Sequence, residues 1–591
     1  METIWNETNF SRADLDKLYS ATKGKITPIT LRVLLNRNIN DIHKLKEFFY
    51  GSFNNLYNPY LMKDMDRGIK IMCDAIKNKE KIMVYGDYDA DGVTSTAILY
   101  KAIRNCGGNV SYHIPHRENE GYGMSLERIE IISQEGYDLI ISCDNGISAI
   151  KEVDRAKELG MKVIVTDHHE LPFEECDGVR KTMIPKSDAL INPKREDCSY
   201  PFKILCGAGI AYKFSVALYE AFGLKDVDSS DLLELAAIGT ICDVVDLVDE
   251  NRVIAKEGLK VLTNTKNKGL KALKDIIGIE GQVSCYNVGF NIGPCINATG
   301  RLETALLSLQ LILSEDDKEA RDLAAKVYNL NKERQDLTTE SVEEVCEIIE
   351  KGSLNEDKVL VIFNDKIHES IAGIVAGRVK EKYGKPTFVI TSGKEMPKGS
   401  GRSIEEYNMF EEMLKCSHLL YKFGGHPMAA GLSIEEENID KFRKELNDNC
   451  KLTNNDIAVK MKIDSPISLN YVNEAVVEEF KLLEPFGKGN PSPVLMARRV
   501  KVNSMRFLGS DNQHVKFEFA LDGPGRKVDG LYFNKSKEVE DILFEVYGDN
   551  FNAAIDRPVG LYLDILFQPD INEYMGRRNV QLKIKDIKIS K

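Results

Sequence analysis

Between residues 80 and 170, short apolar runs alternate with stretches in which apolar side chains recur every three or four positions. KIMVYG (81–86), NVSYHIP (109–115), YDLIISCD (137–144) and KVIVTD (162–167) have the length and content of buried strands, and GVTSTAILYKAIRNCG (92–107) has the period of a helix. The alternation predicts an α/β fold whose parallel sheet is covered on both faces. It repeats on a smaller scale in KVLVIF (358–363), a helical period through IAGIVAGRVKEKYG (371–384), and PTFVIT (386–391). Between the two, residues 315–350 are charged and free of proline, which predicts a long solvated helix connecting two domains. From 456 onward the period becomes two, in HVKFEFAL (514–521), VGLYLDILF (559–567) and VQLKIKDIKI (580–589), which predicts a small β-barrel. Residues 1–60 are polar with helical spacing and carry no evident chemistry. The expected organisation is therefore 1–60 helical, 61–314 α/β, 315–350 a connecting helix, 351–455 a smaller α/β domain and 456–591 a barrel.

Composition narrows this picture. At 43% hydrophobic and 29% charged residues, the chain can build ordinary cores. No apolar stretch is long enough for a membrane span, and METIWNETNFSRADLDK lacks the basic start and apolar run of a signal peptide, so a cytoplasmic location is expected. The 12 cysteines form no CxxC pair and sit mostly in apolar segments, as reduced core thiols do. A net charge of −13 argues weakly against nucleic acid as a partner, but local patches weigh more than the total.

The candidate chemistry lies where the strands end. After KIMVYG come Asp87, Asp89 and Asp91, in the sequence GDYDADG; after LIISC comes Asp144; after VIVT come Asp167, His168 and His169. Open parallel sheets bind ligands beyond the carboxyl ends of their strands, so neighbouring strands would converge these groups on one crevice. Asp243, which follows a helical period in AAIGTICDVVDL, closes the ring. Carboxylates with one or two imidazoles suit Mn²⁺ or Mg²⁺ better than zinc. On an extended backbone Asp89 and Asp91 point the same way and serve two adjacent ions, which at about 3.5–4 Å apart generate a hydroxide and clamp a phosphoryl group. Asp87 is either a further ligand or a turn residue bonded to its own backbone. A lone DxD or His-His pair would mean little; their joint placement after apolar strands points to metal.

GDYDADG, SCDNG, TDHH and GTICDVVDL, in that order, resemble the DHH phosphoesterase superfamily, whose triplet is Asp167-His168-His169 here. NKERQ (331–335) fits the same pattern, and GGHPMAAG (424–431) resembles the glycine-rich motif of the DHH-associated domain. IPHRENEGYG (114–123), GPCINATGRL (293–302) and EPFGKGNPSP (484–493) leading into a barrel are most similar to the RecJ type, the single-strand-specific 5′→3′ DNA exonucleases.

The resemblance implies two-metal hydrolysis of single-stranded DNA to 5′-mononucleotides in recombination and repair, by a monomer acting alongside a helicase and a single-strand-binding protein. The strand would thread between the DHH and GGH domains, gripped by an OB-like barrel. Asp89 would bind one ion and Asp91 the other, Asp144 would bridge them, and His168 and Asp243 would complete the second. His169 would contact the scissile phosphate, with Asp167 orienting the histidines. Many relatives have a histidine where this chain has Tyr85, leaving that place to Asp87 or water. Arg117, Ser400 and Arg402 resemble a pocket for the 5′ phosphate, and His426 lies in the GGH turn, whose backbone N–H groups can cradle an anion. Arg301 is either a strand contact or a structural ion pair. Cys295 stands where relatives often carry an arginine near the DNA. Lys583, Lys585 and Lys588 are either phosphate contacts or the solvated face of the last strand. Two other functions fit less of the pattern: a DHH phosphodiesterase for cyclic dinucleotides or short RNA, which would not need the barrel, and an inactive replication scaffold, which would have lost its ligands.

Overall fold

The computed structural model describes residues 3–176, 179–224, 229–574 and 576–590. The chain forms two compact units: one is chiefly 56–246 with 250–459, the other 4–55 with 247–249 and 460–591.

The first unit holds the DHH-type sheet. Strands β1 (Lys81–Tyr85), β2 (Asn109–His113), β3 (Leu139–Cys143), β4 (Lys162–Thr166) and β5 (Ala189–Ile191) lie in the order β2-β1-β3-β4-β5, all parallel. Side chains alternate between two cores: Ile82 and Val84 pack on one face of β1, Met83 and Tyr85 on the other. That two-sided burial is why these strands read as unbroken apolar runs. Helices α1 (Ala90–Asn105), α2 (Gly207–Ala221), α3 (Ser230–Cys242) and α4 (Gly293–Leu302) contribute to the first core.

Helix α5 (Asp317–Lys351) is 35 residues long, about 52 Å at 1.5 Å per residue. The expectation of a solvated helix needs correcting. Ala320, Ala324, Val327, Asn331, Arg334, Thr338, Val345 and Ile349 recur at helical spacing and are buried, so one stripe is covered along its length. It leads to a sheet of β6 (Leu360–Phe363), β7 (Thr387–Thr391), β8 (Lys398–Arg402), β9 (Leu420–His426) and β10 (Ala429–Ile434), ordered β9-β10-β8-β7-β6, with helix α6 (Ala372–Tyr383) packed on β7 and β8.

In the second unit, β11 (Leu495–Leu508), β12 (His514–Ala520), β13 (Lys527–Tyr532), β14 (Tyr562–Tyr574) and β15 (Arg577–Ile589) run in the order β11-β12-β13-β15-β14, and β14 pairs back with β11 to close a five-stranded barrel. The N-terminal segment does not stand apart as a purely helical piece. Residues Thr3–Glu7 form a strand, and Leu18, Leu31, Leu34 and Leu45 from the helices that follow share one core with Phe517, Phe519, Ile565 and Leu582 of the barrel.

Candidate active site

The three acid-bearing strands β1, β3 and β4 are neighbours, so their carboxyl ends meet. Asp87 is 2% exposed, and its Oδ1 has no hydrogen-bond partner. Burial, and after it the charge of Asp89, pushes its carboxyl well above the ordinary range. Asp89 and Asp91 do not share one extended backbone: Asp89 is extended, and Asp91 is already helical. Asp89 is the N-cap of α1, its Oδ1 accepting the Gly92 N–H at 3.0 Å, and Asp91 sits in the first helical turn. Aspartate is a strong N-cap, and it draws the helix start two residues ahead of the apolar period.

Both oxygens of Asp91 accept backbone N–H groups from the start of α2, Gly207 at 2.7 Å and Ala208 at 2.8 Å. The approach requires glycine twice: a Cβ on Gly207 would lie 2.7 Å from Asp144 Cβ, and one on Gly239 would lie 2.5 Å from Asp91 Oδ1. Asp144 is buried with φ +60, a left-handed conformation rare outside glycine and tolerated by aspartate. Its Oδ1 stands 3.0 Å from His168 Nε2 without a hydrogen bond of good geometry, and burial followed by Asp91, Asp89 and Asp87 raises its carboxyl strongly. Asp243 caps the C-terminus of α3, 3.7 Å from His168 Nδ1, and is raised to about 8 by burial and then by Asp91. Burial lowers His168 to about 4.

Asp167 has a different role. Its Oδ1 accepts the backbone N–H groups of His168 (2.7 Å) and His169 (3.0 Å) and faces His169 Nδ1 at 2.8 Å, while Oδ2 accepts the Ile147 N–H at 2.8 Å. Burial works against charge on His169, but the hydrogen bond and charge of Asp167 outweigh it and hold the ring up to about 9. His169 Nε2 is turned toward Tyr122 Oη, 3.2 Å away.

Among the described residues, atoms able to ligate a metal fall into three overlapping groups, each within 4.8 Å: Asp87, Asp89 and Asp144; Asp91, His168 and Asp243; Asp144, His168 and His169. Tyr85 takes no part. It packs on the far face of the sheet and donates to the Gly123 carbonyl at 3.3 Å.

Beside this cluster the Arg117 guanidinium lies over the Tyr88 ring, 5.0 Å from its centroid, and Tyr88 is the residue between Asp87 and Asp89. Arg117 and Ser400 line a cavity of about 420 Å³ with Lys398, Lys422, Phe423 and the acids Glu118 and Glu369. Arg301 donates to the Ser370 carbonyl at 2.7 Å. It is lowered to about 10 by burial and then by the charges of Arg117, Arg334 and Arg402. Arg402 lies against Gly373 and donates to the Gly401 carbonyl at 2.8 Å. These arginines repel one another in a partly dry place, the setting an anion relieves.

The GGH residues are not a turn. Gly424, Gly425 and His426 end strand β9, paired with Gly431, Ala430 and Ala429, and the reversal is at Pro427–Met428. His426 is exposed and does not line the cavity. Cys295 is buried; the side chains of Asn331 and Arg334 on α5 act on its thiol, and burial pushes it up to about 12. In the barrel, Lys583 pairs with Asp570 at 2.6 Å, Lys585 is lowered by burial, and Lys588 lies over Trp5, 4.9 Å from the ring centroid. Sequence reasoning missed Tyr122, Asn297 (which accepts the Ala90 N–H at 2.8 Å) and Arg334, although each lies in a stretch noted for its motif: GYG, GPCINATG and NKERQ.

Comparison with known proteins gives this architecture its class. The DHH family N-terminal domain model matches residues 81–240, the DHHA1 domain model 356–452 and the RecJ OB domain model 463–586. The fold and site are thus those of a DHH-type phosphoesterase. The chain is 36% identical over 585 residues to the single-stranded-DNA-specific exonuclease RecJ of Bacillus subtilis (strain 168), covering 98% of this chain and 70% of that one. It is 30% identical over 587 residues to the protein of the same description from Escherichia coli (strain K12), covering 95% and 96%. RecJ of Thermus thermophilus, crystallised in complex with Mn²⁺, superposes with a TM-score of 0.82 at 26% identity over 100% of this chain and 80% of that one. The chain belongs to the RecJ family.

Proposed function

We propose that the protein is a metal-dependent exonuclease that degrades single-stranded DNA from the 5′ end to 5′-mononucleotides. The observation that carries this reading is one continuous site. A cluster of five carboxylates and two histidines, with Asp87, Asp91, Asp144 and His168 buried, adjoins, through Tyr88, a cavity lined by Arg117 and Ser400. The relatives described as single-stranded-DNA-specific exonucleases support it.

The donor set fits two ions of Mn²⁺ or Mg²⁺, since hard oxygens dominate and the buried Oδ1 atoms of Asp87 and Asp144 are without hydrogen bonds. Asp87, Asp89 and Asp144 would hold one; Asp91, His168 and Asp243, with Asp144 shared, would hold the other. When bound, such a pair supplies an acidified water as nucleophile and neutralises phosphate charge.

The chain's own residues do the rest. Arg117, Ser400 and Arg402 bind the terminal 5′ phosphate and set which linkage is cut. Asp167 fixes His169 through Nδ1, so that Nε2 faces a non-bridging oxygen of the scissile phosphate and offsets charge developing there. The attacking oxygen bonds to phosphorus and the P–O3′ bond breaks. The released nucleotide keeps its 5′ phosphate and gains a 3′ hydroxyl, and the shortened strand ends in a new 5′ phosphate suited to the same cavity. Regions 61–314 and 351–455 carry the chemistry, 315–350 connects them, and the barrel of 456–591 holds the strand.

Among the described residues no helix is long and apolar enough to cross a membrane. The free thiols of the described cysteines suit the cytoplasm, where the enzyme would act as a monomer with a helicase and a single-strand-binding protein. The test is digestion of 5′-labelled single-stranded and blunt duplex DNA with and without Mn²⁺. The single strand is consumed only with metal, the duplex persists, and Asp144→Ala loses at least about 100- to 1,000-fold in rate. Survival of the single strand alongside loss of cyclic dinucleotides would overturn the reading.

A further inference from the structure

The segment leading into α4 carries two aromatic rings that the proposed chemistry leaves unused. Tyr286 and Phe290 are 65% and 66% exposed, yet their rings stack on each other with centroids 4.8 Å apart and planes 24° from parallel. A stacked pair this exposed presents an aromatic face on which a planar ligand can stack.

Their position gives the occupant. The segment is helical without a break from Cys285 to Leu302, passing through one π-helical turn at Val288–Ile292. Such turns cluster at functional sites. Its C-terminal end forms a wall of the active site: Asn297 accepts the Ala90 N–H, a Cβ on Gly300 would lie 2.5 Å from the Tyr88 carbonyl, and Arg301 faces Arg117 and Arg402. Its N-terminal end abuts the helix that carries Asp243, since a Cβ on Gly293 would lie 2.3 Å from Cys242 Sγ and one on Gly289 would lie 3.9 Å from Ile241 Cγ2. Val244, next after Asp243, is 59% exposed and has φ +56, a strained conformation for a β-branched residue. Phe290 and Arg301 are about 16 Å apart along this helix. The helix thus runs from the aromatic pair, past the end of the helix that Asp243 caps, to Gly300 and Arg301 beside Tyr88.

We propose that Tyr286 and Phe290 form a stacking platform for the bases of the strand on the 3′ side of the scissile phosphate. This inference rests on the reading above, with the 5′ phosphate in the arginine cavity. A strand anchored there and cut at the carboxylates continues past Asp243 toward the two rings. Every base has a π-face, so the platform grips DNA without regard to sequence, and it gives strands that reach it an advantage over dinucleotides that do not.

The test compares wild type with Tyr286→Ala/Phe290→Ala and with the ring-keeping Tyr286→Phe on 5′-phosphorylated DNA of two nucleotides and of twenty. Binding of the twenty-mer without added metal, followed by fluorescence anisotropy, gives a readout apart from activity. The double alanine variant is expected to lose about tenfold or more in affinity for the twenty-mer. Its KM for the long strand rises far more than its kcat falls, the preference for long over short narrows, and Tyr286→Phe behaves like wild type. Equal affinity in the double variant, or equal losses on both lengths, overturns the platform. A wild type that binds the twenty-mer but does not degrade it overturns the proposed function instead, and the binding comparison still decides the platform.

Discussion

Asp87 is the residue whose role the sequence left open between ligand and turn. It stands beside Asp89 and Asp144 with Oδ1 buried and unbonded, so on the proposed reading it would take the position that Tyr85 leaves. Asp87→Asn keeps the shape and removes the charge. The expected outcome is a loss of about 10- to 100-fold that higher Mn²⁺ partly restores, read as a rightward shift of the Mn²⁺ activation curve. A curve that superposes on wild type returns Asp87 to the role of a turn residue. Glu234 makes a second single-residue case, away from the reaction. It is 1% exposed on α3, its Oε2 has no hydrogen bond, and burial raises it from 4.5 to about 7 despite Thr265 and Lys101. A carboxyl that stays neutral when folded and ionises when unfolded binds more protons in the folded chain, so stability falls as pH rises from 4.5 to about 7 and the penalty is complete above that. Glu234→Gln removes the penalty. Thermal melts are expected to show the variant more stable than wild type at pH 8, by about 3 kcal/mol, and equal to it well below pH 4.5.

At the scale of elements, the start of α2 positions two carboxylates at once, donating N–H groups to Asp91 and packing Gly207 against Asp144. Gly207→Ala is expected to lower the melting temperature modestly, since a Cβ 2.7 Å from buried Asp144 Cβ must push it aside, while activity falls about 100-fold from displacement of the two carboxylates. Unchanged activity would mean that this contact does not set their spacing. The elements that build the site were legible because each of β1, β3 and β4 is an apolar run ending at an acid, so strand, sheet edge and ligand are written in one stretch. Where local chemistry competes with period, the sequence misleads. The cap at Asp89 pulled α1 two residues forward, and the glycines of GGH hid the end of a strand. Strand β11 escaped notice altogether. Its register shifts between Ala497 and Val500 and again between Val502 and Ser504, with Arg499 at φ +50, so its alternation is broken twice. The N-terminal helices carried no sign of their partner because burial against a barrel about 450 residues away depends on long-range contacts, not on local period.

At the scale of the whole molecule, a chain of net charge −13 is no obvious partner for DNA, and the resolution lies in distribution. Five acids are gathered in a cluster that could hold cations, while the charges of Arg117, Arg334 and Arg402 all bear on Arg301 at one end of it. If the cavity beside the carboxylates takes one terminal phosphate, as proposed, a strand end and not an internal linkage would be the substrate. The most direct measurement is the order in which labels leave a single strand of DNA marked with different labels at its two ends and digested with Mn²⁺. The 5′ label is expected to appear first, as a mononucleotide, while the 3′ label remains on a shortening strand. Release of the 3′ label first, or of the 5′ label within longer fragments, would contradict a 5′-end exonuclease built on this site.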